Sequence, residues 1–497
     1  MQELRELALM VDPSELKLTT NNLLVLQSDA KIASLFKGIT SGDYNSDEEA
    51  LRDLYSEDSS TSGYRKLKFT LKQRLKNAVL LFNEHNKDYS DYQKAYYQCY
   101  KEFSVIKILL GRHAQAAAAD IAQGTLKKAI KYEFTDLVVD MCKVLRMHYG
   151  ARVGNAEKFK HYNDIFQEYK ILLDQEEAIQ GDYIDLIINY VNNRSPKSNQ
   201  HEQAKKVADS MRAACTQRDS YQAQLYFFLV ELMVQTTIYN YEEALNICEK
   251  AISYFSSKAY NADVPLQIFY YQELVCHIQL GHFESGQKVI KNSLELVSDG
   301  SFNWFKYHEL YLLLAIQTGR YEEAADIFKQ VIDHRRFSFL PNNFKEVWQI
   351  YQSYLYYLMI VGKIEDASIF NDFKLSRFLN EVLIYSKDKS GLNASILTVQ
   401  LLILIVEGRY EEATARYESM QQYCYRYLKT EYTQRSYLFM KMLLKTLQFS
   451  FDKKIITKKT AKLLGQLEQV PFEVANQAME IETIPYETIW EMLLDSL

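Results

Sequence analysis

The sequence predicts an all-α protein, built over most of its length as an α-solenoid of about nine helical hairpins. Three observations carry this. Glycine and proline are scarce, at 16 and 6 of 497 residues, so turns are few and the segments between them are long enough for helices. One ten-residue string occurs nearly twice, as GRYEEAADIF from Gly319 and GRYEEATARY from Gly408. Weaker copies begin at Tyr239, Gly281 and Gly362, so successive copies lie 38 to 46 residues apart. Two helices of roughly 15 to 20 residues with short turns fill such a period.

Each position of the string has a physical task. The leading glycine permits a left-handed helix end. Tyr321 or Tyr410 covers the corner between two helices. Ala324, Ala413 and Ala244 are small and let the helices approach. Phe328 or Tyr417 fills the seam with the next hairpin. The paired glutamates fall in the first turn of the second helix, where the helix dipole favours negative charge. Adjacent helical residues point about 100° apart, so the pair is a poor catalytic dyad. Fainter turns are expected at Gly111, Gly154, near Asn199 and near Asp452.

The order turn-glycine, aromatic, alanine, aromatic resembles the tetratricopeptide (TPR) family. Gly319, Tyr321, Ala324 and Phe328 carry the resemblance, as do Gly408, Tyr410, Ala413 and Tyr417. Tyr239, Tyr241, Ala244 and Ala251 fit a third copy. The period exceeds that family's 34 residues and is similar to the extended repeats of bacterial regulatory TPR proteins. Asn371 stands where the Gly362 copy should have an aromatic. The resemblance implies a right-handed superhelix whose concave face holds peptides or partner proteins, and it implies no catalysis.

Three regions follow: an N-terminal helical region (1–85), the repeats (86–470) and a C-terminal capping segment (471–497). In the first, residues 41–63 carry seven acidic residues against one arginine. Ser46 with Glu49 reads as a capping box that opens a short helix. From residue 64, Leu67, Leu71, Leu75 and Ala78 share one helical face, with Arg65, Lys68, Lys72 and Lys76 in a stripe beside it. Two short helices before a basic third resemble a helix-turn-helix, which would set this stripe on DNA phosphates or on an acidic partner. That resemblance adds a second reading, a peptide- or protein-responsive transcriptional regulator. The stripe reads equally as a solvated face that neutralises the acidic segment before it. At the other end, residues 471–497 hold six acidic residues and no basic one, and Ile489, Trp490, Leu493, Leu494 and Leu497 read as a helix covering the last repeat.

Catalytic signatures are missing. No phosphate loop, dinucleotide fingerprint or nucleophile elbow is found. HEQAK at His201 has Lys205 where a zinc site needs a second imidazole. His277 and His282, beside Cys276, are too weak a pattern to specify a metal. The six cysteines show no C-x-x-C spacing and read as buried thiols of a reducing compartment. MQELRELALM lacks a signal-peptide core, and the longest apolar run, Ile396–Val406, is shorter than the roughly 20 residues a bilayer demands. The expectation is a cytoplasmic protein with no membrane partner, no metal and no cofactor. Its partner is expected to be a protein or peptide. Tyrosine-rich stretches at 351–359 and 421–437 offer a candidate aromatic and cationic wall: Tyr351, Tyr354, Tyr423, Tyr425, Arg426, Tyr427 and Arg435. The same rings would serve seam packing, and both readings stay open at this point.

Overall fold

The computed structural model describes residues 1–10, 30–44, 46–55, 61–80, 89–192, 197–370, 373, 375–381, 392–428, 433–472 and 482–497. Among these residues every regular element is a helix. The chain divides into two compact units, Met1–Gln175 with Ala259–Asn261, and Glu176–Lys258 with Ala262–Leu497. The boundary expected at residue 85, and Asn371, lie outside the described residues.

The first unit begins with helices Gln2–Met10, Ala30–Ser41, Asp47–Leu54 and Thr61–Val79. The capping box forms as expected: the Glu49 N–H donates to Ser46 Oγ and the Ser46 N–H to Glu49 Oε2, each at 3.2 Å. Leu67, Leu71 and Leu75 meet Leu4, Leu35 and Ile39 in a small buried core. A Cβ at Gly38 would lie 2.2 Å from the Tyr44 ring, so only glycine fits there. Helices Asp91–Gly111, Gln115–Lys131 and Thr135–Arg146 follow. Tyrosines fill space here, with Tyr92 stacked on Tyr260 at 5.2 Å between centroids.

The repeat rests on one two-residue turn. A left-handed residue closes the first helix of a hairpin, and the next residue sits near φ −85°, ψ +65° and starts the second. For Arg320 these angles are −86° and 63°, for Arg409 −82° and 57°, and for Asn240 −85° and 73°. The N–H of that second residue donates to the carbonyl five residues back: Arg320 to Ala315 at 2.8 Å, Arg409 to Leu404 at 2.9 Å, His282 to His277 at 2.9 Å. This satisfies carbonyls that a helix end otherwise leaves open. Gly281, Gly319, Gly362 and Gly408 take the left-handed position, and so does Tyr239. In the first unit His113 takes it, two residues beyond the expected Gly111. Glu133 opens a further turn that the spacing did not predict.

After each turn the second helix buries its fourth residue. Ala244, Ala324 and Ala413 are fully buried. At Gly286 a Cβ would come 2.5 Å from Leu314, so the Gly281 copy needs glycine where the others have alanine. Phe328 is buried against Trp348 of helix Asn342–Ile360, ring centroids 6.0 Å apart. Burying a ring of that size is worth about 2–3 kcal/mol.

Three expectations change. One helix, Ala156–Asn192, runs 37 residues where the period predicts shorter pieces. Gly362 makes its turn, but no α-helix follows directly, only a short 3-10 turn, Ala367–Phe370. Here side chains hold the backbone: the Glu365 N–H donates to Glu322 Oε1 at 2.7 Å, and the Ser368 N–H donates to Asp366 Oδ1 at 2.8 Å, the latter in competition with helical bonding. After Gly408 the second helix is only Tyr410–Ala415 and breaks at Arg416 before Tyr417–Tyr427. At the end of the chain, Tyr486, Ile489, Trp490 and Leu493 of helix Tyr486–Ser496 are buried, with Tyr486 stacked on Phe439 at 4.3 Å.

Candidate partner-binding groove

Helices Tyr417–Tyr427, Gln434–Gln448 and Lys453–Leu467 enclose a groove of about 440 Å³. Tyr417, Tyr425 and Tyr437 supply rings, Lys441 and Lys445 supply charge, and Leu444 and Leu463 make the floor apolar. Tyr437, Lys441 and Lys445 stand four residues apart and so share one helical face. Lys441 Nζ lies 4.3 Å from the centre of the Tyr437 ring. Lys445 Nζ donates to the Lys459 carbonyl at 2.7 Å and ties two walls together. Cys424 also lines the groove, and burial pushes its thiol up to about 12, which disfavours the thiolate form.

Arg416 directly precedes the groove residue Tyr417. The arginine occupies the place in its repeat that buried Ile327 occupies in the Gly319 copy. A guanidinium cannot stay unbonded in a core. It donates instead to Gln400 Oε1 at 2.6 Å and to the Leu379 carbonyl at 3.0 Å, and the helix breaks there. Burial also lowers its pKa from the usual arginine value. Tyr417, next in line, is half-buried on the groove wall, whereas its counterpart Phe328 is in the core.

The predicted wall is only partly assembled. Tyr425 is 69% exposed and lines the groove. Tyr423 and Tyr427 are half-buried with rings 5.3 Å apart, and Arg426 is exposed. Tyr351 and Tyr354 are fully buried, which removes them from any surface: their hydroxyls donate to Glu309 Oε1 at 3.0 Å and to the Ser395 carbonyl at 3.3 Å. Arg435 is also buried. It forks onto Glu482 at 2.7 Å on both oxygens and onto Glu487, and it holds the C-terminal segment in place. The seam-packing reading therefore holds for Tyr351 and Tyr354, and Arg435 is a buried ion-pair clamp. Tyr437, Lys441 and Lys445 were missed, although lysines four apart on the apolar string YLFMKMLLK signal them.

Half of the N-terminal stripe is engaged. Lys68 pairs with Asp47 at 2.8 Å and Lys72 with Glu3, while Arg65 and Lys76 are exposed. The shallow cavity nearby is lined by Asp43, Tyr44, Glu49, Arg52 and Asp53. Burial and the Asp53 carboxylate raise the Tyr44 hydroxyl to about 12.

Elsewhere, buried His277 has its ring 5.8 Å from that of His282 and Nε2 3.9 Å from Glu273. Burial lowers His277 to about 4 and raises Glu273 to about 7. Among the described residues no group of three or more His, Cys, Asp or Glu is placed to hold a metal. No described helix is long and apolar enough to cross a membrane. No family model matches the chain, and neither a curated protein nor a solved structure is similar to it.

Proposed function

We propose that this chain is a non-enzymatic, TPR-like scaffold or adaptor that binds a polypeptide partner, with the tyrosine–lysine groove as its contact site. The observation that carries this is the juxtaposition of Tyr417, Tyr425 and Tyr437 with Lys441 and Lys445 around an apolar floor. Exposed rings supply contact area at low entropic cost, and charges at the rim set orientation. The regulator reading is weaker, because Lys68 and Lys72 already face carboxylates of their own unit.

Site-specific photo-cross-linking tests the proposal. A benzophenone amino acid replaces Tyr425 in the groove or, as a control, Phe339, which is 82% exposed and outside it. A discrete polypeptide adduct at 425 that is missing at 339 is expected. Equal labelling at both positions, or none at 425, overturns it.

A further inference from the structure

We infer that the groove takes an acidic peptide segment, with carboxylates at alternate residues and an apolar or aromatic side chain as anchor. This rests on the groove being the contact site.

Between Lys441 and Leu467 the chain carries seven lysines and one acidic residue, Asp452, although the whole chain has net charge −6. Lys453 pairs with Asp495 at 3.5 Å. Among the described residues, Lys441, Lys445, Lys454, Lys458, Lys459 and Lys462 lie in no ion pair. Elsewhere lysines are neutralised locally, as at Lys68, Lys128 and Lys306. A cluster of uncompensated cations costs self-repulsion and is relieved by an anionic ligand.

Geometry narrows the ligand. Lys454, Lys458 and Lys462 do not line the groove themselves; they form a row four residues apart on the exposed face of the helix that supplies Leu463 to it, with a rise of about 6 Å per step. Alternate residues of an extended peptide repeat every ~6.8 Å. The two periods match over the two steps that three lysines define, so a carboxylate at every second residue of the peptide meets a lysine. The apolar floor at Leu444 and Leu463, flanked by Tyr425 and Tyr437, accepts one large side chain from the same peptide.

The molecule already uses this chemistry in cis. Helix Gln434–Gln448, which carries Lys441 and Lys445, grips the acidic segment Glu482–Glu487 through Arg435 at its other end. A nucleic acid fits less well. No arginine lies between 441 and 467 to grip phosphates bidentately.

Fluorescence anisotropy with the full chain tests the inference. The probe is a short labelled peptide with glutamate at alternate positions, serine between, and one central tryptophan. Its partners are the same peptide with glutamine for glutamate, and labelled oligo(dT). The glutamate peptide is expected to bind about tenfold or more tighter than the glutamine one, and to weaken steeply with salt. The double variant Lys458→Glu/Lys462→Glu changes exposed residues only and is expected to lose about tenfold. Tyr425→Ala is expected to weaken both peptides. If the glutamine peptide binds as tightly and still depends on Tyr425, the groove stands and its acidic preference is wrong. Tighter binding of oligo(dT) than of the glutamate peptide overturns the inference in favour of a nucleic acid. No binding of either peptide also overturns it, and the cross-link at position 425 then decides separately whether the groove meets a polypeptide at all.

Discussion

GRYEEAADIF and GRYEEATARY share their first six letters and part company in structure at the ninth. Both begin with the same turn, at φ 76° for Gly319 and 71° for Gly408, and both bury the alanine that follows. The first then continues as a helix of 12 residues, Tyr321–Ile332. The second stops after six, because Arg416 stands where Ile327 packs and its guanidinium must reach polar acceptors. Tyr410 is left 41% exposed and stacked on Phe451 at 4.0 Å, and Tyr417 turns to the groove. Turn chemistry is local and survives repetition. The seam is tertiary, and where a charged residue stands in it the next ring lines a groove instead of filling the core.

Exchange of the ninth letter tests this most severely. Ile327→Arg would place a charge in the core with no acceptor arranged for it, at an expected cost of about 3–5 kcal/mol. The mirror change, Arg416→Ile, leaves the acceptors at Gln400 and Leu379 unmatched and costs about 1–2 kcal/mol. Chemical denaturation measures both. Equal losses would break the comparison.

Ala324→Trp and Ala413→Trp overpack the sixth position, which is fully buried in both copies. About 3 kcal/mol is expected at 324, and less at 413, where the broken helix has room to move. Unchanged unfolding temperatures in both would refute the alignment of the repeats.

Gly319→Ala and Gly408→Ala probe the part the copies share. A Cβ at either site meets nothing within 4 Å, so only the left-handed backbone opposes it. Each is expected to lose about 1 kcal/mol, and by the same amount, because the turn does not sense its surroundings.

A dependence on pH tests the regular stack. Folded Glu273 keeps its proton up to about pH 7, against an ordinary value of 4.5, so its contribution to stability is lost as pH rises through that window. Folded His277 stays neutral down to about 4, against 6.5, so its contribution is lost as pH falls through that window. The two oppose each other between pH 4.5 and 6.5. Glu273→Gln removes one of them, and the variant is expected to lose stability toward acid more steeply than the parent, by at most about 1.4 kcal/mol per pH unit. Parallel pH profiles for the two would discard this coupling.

Much of this architecture is legible in the letters. Helix follows from the shortage of glycine and proline. The turns follow from glycine's access to positive φ, and the buried alanines from the close approach of two helices. His113 and Glu133 were not legible as turn residues, since a side chain in the left-handed region leaves no compositional mark. Nor was the weak helix after Gly362, where the Glu322 and Asp366 side chains hold backbone N–H groups. In the groove, Tyr425 was anticipated from tyrosine density, but the same density misassigned Tyr351 and Tyr354. A tyrosine's letter does not say whether its ring faces a neighbouring helix or water.

The sequence alone determined the helical class, the period and the place of most turns, because those depend on backbone freedom and spacing within a few residues. Only the tertiary structure decided which tyrosines are core, that Arg435 is a buried clamp, and that Lys441 and Lys445 stand across from Tyr417 and Tyr425. Those outcomes depend on residues dozens of positions apart meeting in one packed interface, and burial there is settled jointly by all the helices that share it.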